Sequence, residues 1–290
     1  MSKGASRQRG STARAARRFF GLLALLATVP ALGQGKLLAT GGATQIEGQA
    51  GGGLVPWAVT AGYAEAGEWG GAAAFTRVSV DDFELDVASL AVGVGNRFEL
   101  SVARQTLEVQ PLDLSIRQDV YAGKLRLGGD LVYGDLPQVG LGVQYKRNAD
   151  FTVPAALGAD SRDGVDVTLA ATRLWLGALA GRNVVGNLTL RSSAANQTGL
   201  LGFGAAGDSD RDLLVEGSLG VFLTRHWVAG VEYRQKPDNL AAVREDDWVD
   251  AFVGWFPNKR VALVAAWADL GDIAGLRSQR GLYLSLQLSH

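Results

Sequence analysis

Few residues in this chain have the types and spacing of a reaction centre. Ser218 and His226 offer a hydroxyl and an imidazole. They lie about eight residues apart, with His226 at a short turn, too far for the roughly 3 Å contact between nucleophile and base. His290 is the last residue, and the chain holds only 2 His and 0 Cys. Thiolate catalysis, iron–sulfur binding and a histidine-rich metal site are therefore excluded. Gly202, Gly204 and Gly207 fit the spacing of a dinucleotide loop, which needs a strand before it and a helix after it. Here an acidic loop and then a strand follow. Asp208, Asp210 and Asp212 alternate like the start of a calcium loop, but Leu213 and Leu219 stand where Gly and Glu are required. Glu245-Asp246-Asp247 and Asp81-Asp82 read as solvated loop charges. No catalytic residue, metal site or cofactor is expected.

One set of charges remains. Arg77, Lys124, Arg126, Glu216, Glu232 and Arg234, with Glu84, Glu99, Lys146, Asp166 and Arg191, fall on the polar positions of alternating segments. Lining a lumen, they would tune which ions pass. In a filled lumen the two signs would neutralise each other.

The elements that must carry these charges are strands. Leu282, Leu284, Leu286 and Leu288 alternate with Tyr283, Ser285, Gln287 and Ser289. Successive side chains of a strand point to opposite faces, so one face is pure leucine. The same period recurs in Phe98-Leu100-Val102, Val139-Leu141-Val143-Tyr145, Val165-Val167-Leu169, Leu213-Val215-Leu219-Val221 and Trp227-Val231-Tyr233. Val55, Trp57, Val59, Ala61 and Tyr63 share one parity as well, and predict a strand from Leu54. The opposite faces carry Gly, Ala, Ser and Thr. Trp and Tyr fall near segment ends, at Trp57, Tyr63, Tyr145, Trp227, Tyr233, Trp255 and Trp267, the pattern of interfacial girdles.

Connections alternate in length. Short ones fall near Asn96 and at 181–183, 224–226 and 257–259. Longer ones are expected at 106–117, 147–163, 192–212, 236–246 and 270–280. Face parity then sets register: Glu216 opposite Arg234, Ser218 opposite Glu232, Val92 opposite Leu100, Val253 opposite Leu263. These features predict an all-β protein, a transmembrane antiparallel up-and-down β-barrel of about 12–14 strands. Residues 34–53, rich in Gly, would be a first strand or a lumenal plug, and 54–290 the barrel.

The first 33 residues differ. Lys3, Arg7, Arg9, Arg14, Arg17 and Arg18 precede an apolar run and then Ala31-Leu32-Gly33. This is the pattern of a cleaved signal peptide, too short in its apolar part to span a bilayer. Its removal takes six of the 28 basic residues, leaving 22 against 29 acidic and a formal charge of −7. Nucleic acid is a poor partner for such a chain. With 47% hydrophobic residues the chain can bury a core, and 39 Gly suit turns and close strand contacts.

Residues 36–48 (KLLATGGATQIEG) and 51–59 (GGGLVPWAV) resemble a proteobacterial exported family of unknown function, domain of unknown function 3034. Phe75-Thr76-Arg77-Val78, Asp81-Asp82, residues 97–105 and residues 116–121 extend the resemblance. It implies an outer-membrane barrel and brings no reaction or catalytic residue. A barrel of this kind meets outer-membrane lipid, lipopolysaccharide and the barrel assembly machinery. The assembly signal is read in Tyr283, Leu284, Leu286 and Leu288, because His290 replaces the usual terminal aromatic. The expected activity is a narrow channel or passive transporter for a small solute. The alternative is a closed barrel with a structural or surface role.

Overall fold

The computed structural model describes residues 36–290 apart from 206, 208, 209, 241 and 242. The predicted signal peptide and Asp208 lie outside the described residues. A small hairpin, β1 (Ala43–Thr44) with β2 (Ala50–Gly51), precedes the wall. The wall strands are β3 (Trp69–Val80), β4 (Phe83–Val94), β5 (Phe98–Val109), β6 (Leu114–Gly128), β7 (Gln138–Asn148) and β8 (Asp163–Leu179). They continue as β9 (Arg182–Ser193), β10 (Asp212–Phe222), β11 (Trp227–Arg234), β12 (Trp248–Asn258), β13 (Val261–Asp269) and β14 (Arg280–Ser289). Each pairs antiparallel with its sequence neighbour, and β14 pairs with β3, closing a barrel of twelve strands. Among the described residues no helix is long and apolar enough to cross a membrane; the strands cross it. A 12-residue strand such as β5 runs about 40 Å at ~3.4 Å per residue, and strand tilt brings that near the height of a hydrocarbon layer.

The alternation decides which way each strand faces. On β14, Leu282 and Leu284 are exposed, Leu286 and Leu288 half-buried, and Tyr283 fully buried. Tyr121 with Tyr145 and Trp227 with Trp255 stack in cross-strand pairs on the outer surface. The predicted registers hold for Glu216↔Arg234, Ser218↔Glu232 and Val92↔Leu100. One does not: Val253 faces Ala265 and Trp255 faces Leu263, because the turn falls at 259–260, beyond the expected centre at Asn258, and the irregularity between Trp255 and Asn258 then restores the facing parity.

The wall starts at Trp69, not at Leu54. Residues 54–64 are buried at even and odd positions alike, and none belongs to a wall strand. Trp57 and Tyr63 are inside the lumen and are no part of an interfacial girdle. Period-2 apolar spacing marks a strand against lipid only if the intervening side chains face something else. In 54–64 every side chain has protein around it. Among the described residues the wall strands therefore number twelve, preceded by a segment, 36–68, whose residues 38–64 lie in the lumen and whose exposed ends sit at the rim.

The two rims differ. One carries turns 95–97, 180–181, 223–226 and 259–260, a longer 129–137 link, and both ends of the wall. The other carries 149–162, with a short helix at Thr152–Ala156, then 194–211, 235–247 and 270–279. The expected long link at 106–117 is mostly strand, leaving 110–113 as the turn. The outer surface is uneven too. On β5 the exposed apolar positions are Phe98, Leu100 and Val102, and then Arg104 begins a charged stretch. On β10 the apolar run spans Leu213 to Val221.

Candidate lumenal site

Twelve strands leave an interior that wall side chains alone do not fill, and residues 36–68 occupy it. Gly93 on the inner wall makes room: a Cβ there would overlap the Ala61 carbonyl. Gly52 does the same for Glu232, whose carboxylate lies where a Cβ would stand.

Three polar groups of the wall hold the segment. Glu99 accepts from the Ala50 and Ala61 N–H groups at 3.1 and 2.8 Å. Lys124 beside it donates to the Ala50 and Val59 carbonyls at 2.7 and 3.0 Å. Glu232 accepts from the Gly53 and Leu54 N–H groups at 2.6 and 2.7 Å, and from Ser218 Oγ at 2.6 Å. Ser218 Oγ in turn accepts from Trp57 Nε1 at 2.9 Å. Side-chain amides and hydroxyls complete the set: Gln105 donates to the Ile46 carbonyl, Gln138 to Ala58 and Thr189 to Pro56, each at 2.8 Å. The short β1–β2 ladder and its turns pair only part of the segment's backbone, and these wall groups satisfy much of the rest.

The centre is Glu47, at the tip of the β1–β2 hairpin. Its carboxylate accepts from Lys146, from Arg234 Nη2 at 2.7 Å and from Arg191 Nη2 at 3.1 Å. Arg191 also binds Glu216 at 2.5 Å and Asp166 at 3.0 Å, and Lys146 binds Asp166 at 2.6 Å. All these groups are 0–2% exposed at the side chain. Burial by itself would raise the Glu47 pKa. Arg191, Arg234 and Lys146 together override it and hold the carboxyl well below the usual carboxylate range. Pairing is what makes so many buried charges tolerable.

The opposite rim closes the lumen from its own side. Loop residues 196–201 are buried in the mouth. Lys146 donates to the Thr198 carbonyl at 3.0 Å, and Asn148 to Leu200 at 2.6 Å. The Gln197 N–H donates to Glu245, and Lys236 donates to Gln197 Oε1 at 2.8 Å. Burial pushes the Glu245 carboxyl up to about 7 and the Lys236 amine down to about 8. Lys146 thus bonds the lumenal segment and the 196–201 loop with one ammonium.

The predicted lumenal charges divide. Lys124, Glu216, Glu232 and Arg234 are buried and face inward. Arg77 does not: it lies on the outer surface, paired with Asp86 at 2.6 Å and Glu84 at 3.3 Å. Its parity matches Phe75, which faces out, and opposite-charge neighbours on β4 make the outward position tolerable. Arg126 keeps inward parity but sits at the rim, donating to the Gly129 carbonyl. Glu245, expected as a solvated loop charge, is buried. Glu47 has no strand pattern to reveal it, yet it is the only charged residue between Lys36 and Glu65. A lone charge in an apolar, Gly-rich stretch is the signal that would find it. His226 bonds the Phe256 carbonyl at 2.8 Å and is remote from Ser218. The Gly202 loop runs into β10 with no helix behind it. Tyr283 faces the lumen, while Leu284, Leu286 and Leu288 face outward. The terminal His290 pairs its backbone with Gly71, and its ring lies 5.1 Å from Trp69.

Fold and lumen together define a transmembrane β-barrel of the outer-membrane type, filled by its own N-terminal segment. Over residues 40–287 the chain matches, and belongs to, the family described as "Protein of unknown function (DUF3034)". No curated protein matches the sequence. Among solved structures, the KdgM porin is 10% identical with a TM-score of 0.50, over 76% of this chain and 99% of that one. The outer membrane protein Omp33 of Acinetobacter baumannii is 11% identical, TM-score 0.45, over 78% and 100%. The NanC porin is 12% identical, TM-score 0.43, over 77% and 98%. At such identities the KdgM likeness concerns the fold alone.

Proposed function

We propose that the protein is an outer-membrane channel for a small solute, kept closed by residues 36–68 and passive when open. One observation carries this reading. The wall beneath the segment is polar over much of β5 to β10, with Gln105, Gln118, Gln138, Gln144, Lys124, Lys146 and Arg191 buried and aimed inward, while β3, β4, β12 and β13 turn mainly Ala, Val, Leu and Phe inward. A wall built only to be filled for good could be apolar. A water-filled passage needs the polar lining found here. The short-turn rim, which holds both ends of the wall, is the periplasmic one on this reading, and the long loops face outward into lipopolysaccharide. No chemical step is assigned to the chain.

The second reading is a permanently closed barrel with a structural or surface role. The Glu47 cluster favours it, since breaking buried ion pairs is costly. Conductance in planar bilayers separates the two. Wild type is expected to conduct rarely. A variant lacking residues 37–62, shown folded by heat-modifiable gel migration, is expected to form a steady pore. A folded deletion variant that stays silent would sink the channel reading and leave the closed barrel. A steady wild-type pore would sink the occlusion.

A further inference from the structure

Among the described residues, seven buried carboxylates meet five buried cations. Glu99 is matched by Lys124, and Glu245 by Lys236. Glu47, Asp166 and Glu216 share Lys146, Arg191 and Arg234. Glu232 and Asp250 are left over, and they are not scattered. They are cross-strand partners on β11 and β12, both facing inward, 1% and 2% exposed.

Their surroundings are donor-poor in an uneven way. Glu232 has its three donors from Gly53, Leu54 and Ser218. Both oxygens of Asp250 lack any hydrogen-bond partner. Tyr283 adds an independent sign. It is 0% exposed, and its hydroxyl also lacks a partner. A Cβ built at Gly53 would lie 3.3 Å from Glu232 Oε2 and 3.4 Å from Tyr283 Oη, so carboxylate and phenol both border Gly53. Between Asp250 and Tyr283 the wall presents only Ala268 and Ala266 of β13, both buried and small. The inner wall from β11 to β14 thus offers two carboxylates and a phenol oxygen with only small alanine side chains between them on β13.

We propose that Glu232, Asp250 and Tyr283 bind one hard divalent cation, calcium or magnesium, inside the lumen. The class follows from the donors. All are oxygens, and the chain has no Cys and no buried His to draw a softer metal. A divalent ion matches the surplus of two negative charges. The ion steadies the Gly53–Leu54 bolt by holding Glu232 beside Asp250. The closed lumen means that it is taken up during folding. The site stands whether or not the barrel ever conducts.

The test uses the full mature chain, refolded from urea into detergent with EDTA, with calcium chloride or with magnesium chloride. Metal retained after gel filtration is measured by atomic emission, and thermal unfolding by circular dichroism. Wild type is expected to retain one cation per chain and to melt higher than after refolding in EDTA. Asp250→Asn is expected to retain none and to melt alike in all three conditions. Tyr283→Phe, which leaves both carboxylates, is expected to bind about tenfold more weakly, and serves if Asp250→Asn fails to fold. Two results would overturn the site. One is a wild type without retained metal whose stability follows pH alone, which makes a proton the compensating charge. The other is retention unchanged in both variants, which moves the ion to the surface loops.

Discussion

Glu47 concentrates the energetics of the lumen in one side chain. Replacing it with Gln leaves Lys146, Arg191 and Arg234 with one acceptor fewer in a dry interior. The expected loss is about 3–5 kcal/mol, the usual cost of breaking a buried pair, measured by urea unfolding in detergent. Its pH signature follows from the depressed carboxyl. A group whose folded pKa is lowered contributes stability above its unfolded pKa, so this contribution is intact at neutral pH and is lost only below the carboxylate range. Glu245 behaves oppositely. Burial raises its folded pKa to about 7, so folding of the outer loop is opposed increasingly as pH climbs from 4.5 to about 7. Limited proteolysis of the 196–201 loop is expected to quicken over that window, and Glu245→Gln to flatten the change. An unchanged slope in Glu245→Gln would remove this residue from the account. Residues like these were only partly legible in the sequence. Lys124, Glu216, Glu232 and Arg234 follow from strand parity. Arg77 misleads because a charge is assumed to avoid the outer face, and the wall has outward ion pairs where Arg77 meets Asp86 and Arg104 meets Asp119.

Strand pairing is where sequence reasoning reached furthest, because a slip of one residue would turn every side chain over. Leucine on the even positions of β14 and the odd parity on both sides of Arg225 rule out one-residue slips, whereas a two-residue shift keeps parity and is what separates the observed β12–β13 pairing from the expected one. Leu284→Arg is expected to destabilise the folded barrel by about 2–4 kcal/mol when assembled in a bilayer, the depth-dependent cost at the midplane. The same change at Leu213, near the outer rim, should cost far less, and urea unfolding from vesicles compares the two. The lumenal segment escaped the same logic. Val55 to Tyr63 keeps the period of a strand without being one, and only the third dimension shows protein on all its sides. Its fit is tight where glycine sits. Gly52→Ala pushes a methyl into Glu232 and is expected to cost several kcal/mol, in the range of other close-approach glycines forced to carry a Cβ; a neutral effect, read in the same unfolding assay, would mean that the segment shifts easily.

At the scale of the whole molecule, the barrel's outside is not the same height all round. From Phe98 to Val102 the apolar stretch of β5 is about 14 Å along the strand, whereas Leu213 to Val221 on β10 is about 27 Å, at ~3.4 Å per residue. Lipid cannot meet both edges with one thickness. The leaflet at the long-loop rim must dip against β3 to β6, where Arg77, Asp86, Arg104 and Asp119 already stand, and recover its height on the far side. The protein is then a wedge in the membrane plane: it tilts toward the low side, or it pinches the bilayer there. Vesicles of short-chain lipid should support folding better than long-chain ones, and replacing Arg104 and Asp119 together by Leu should move that optimum toward thicker bilayers. A pinched leaflet is also a place where lipids cross or neighbouring barrels gather, so the uneven belt gives this barrel a preferred direction among otherwise interchangeable lipids.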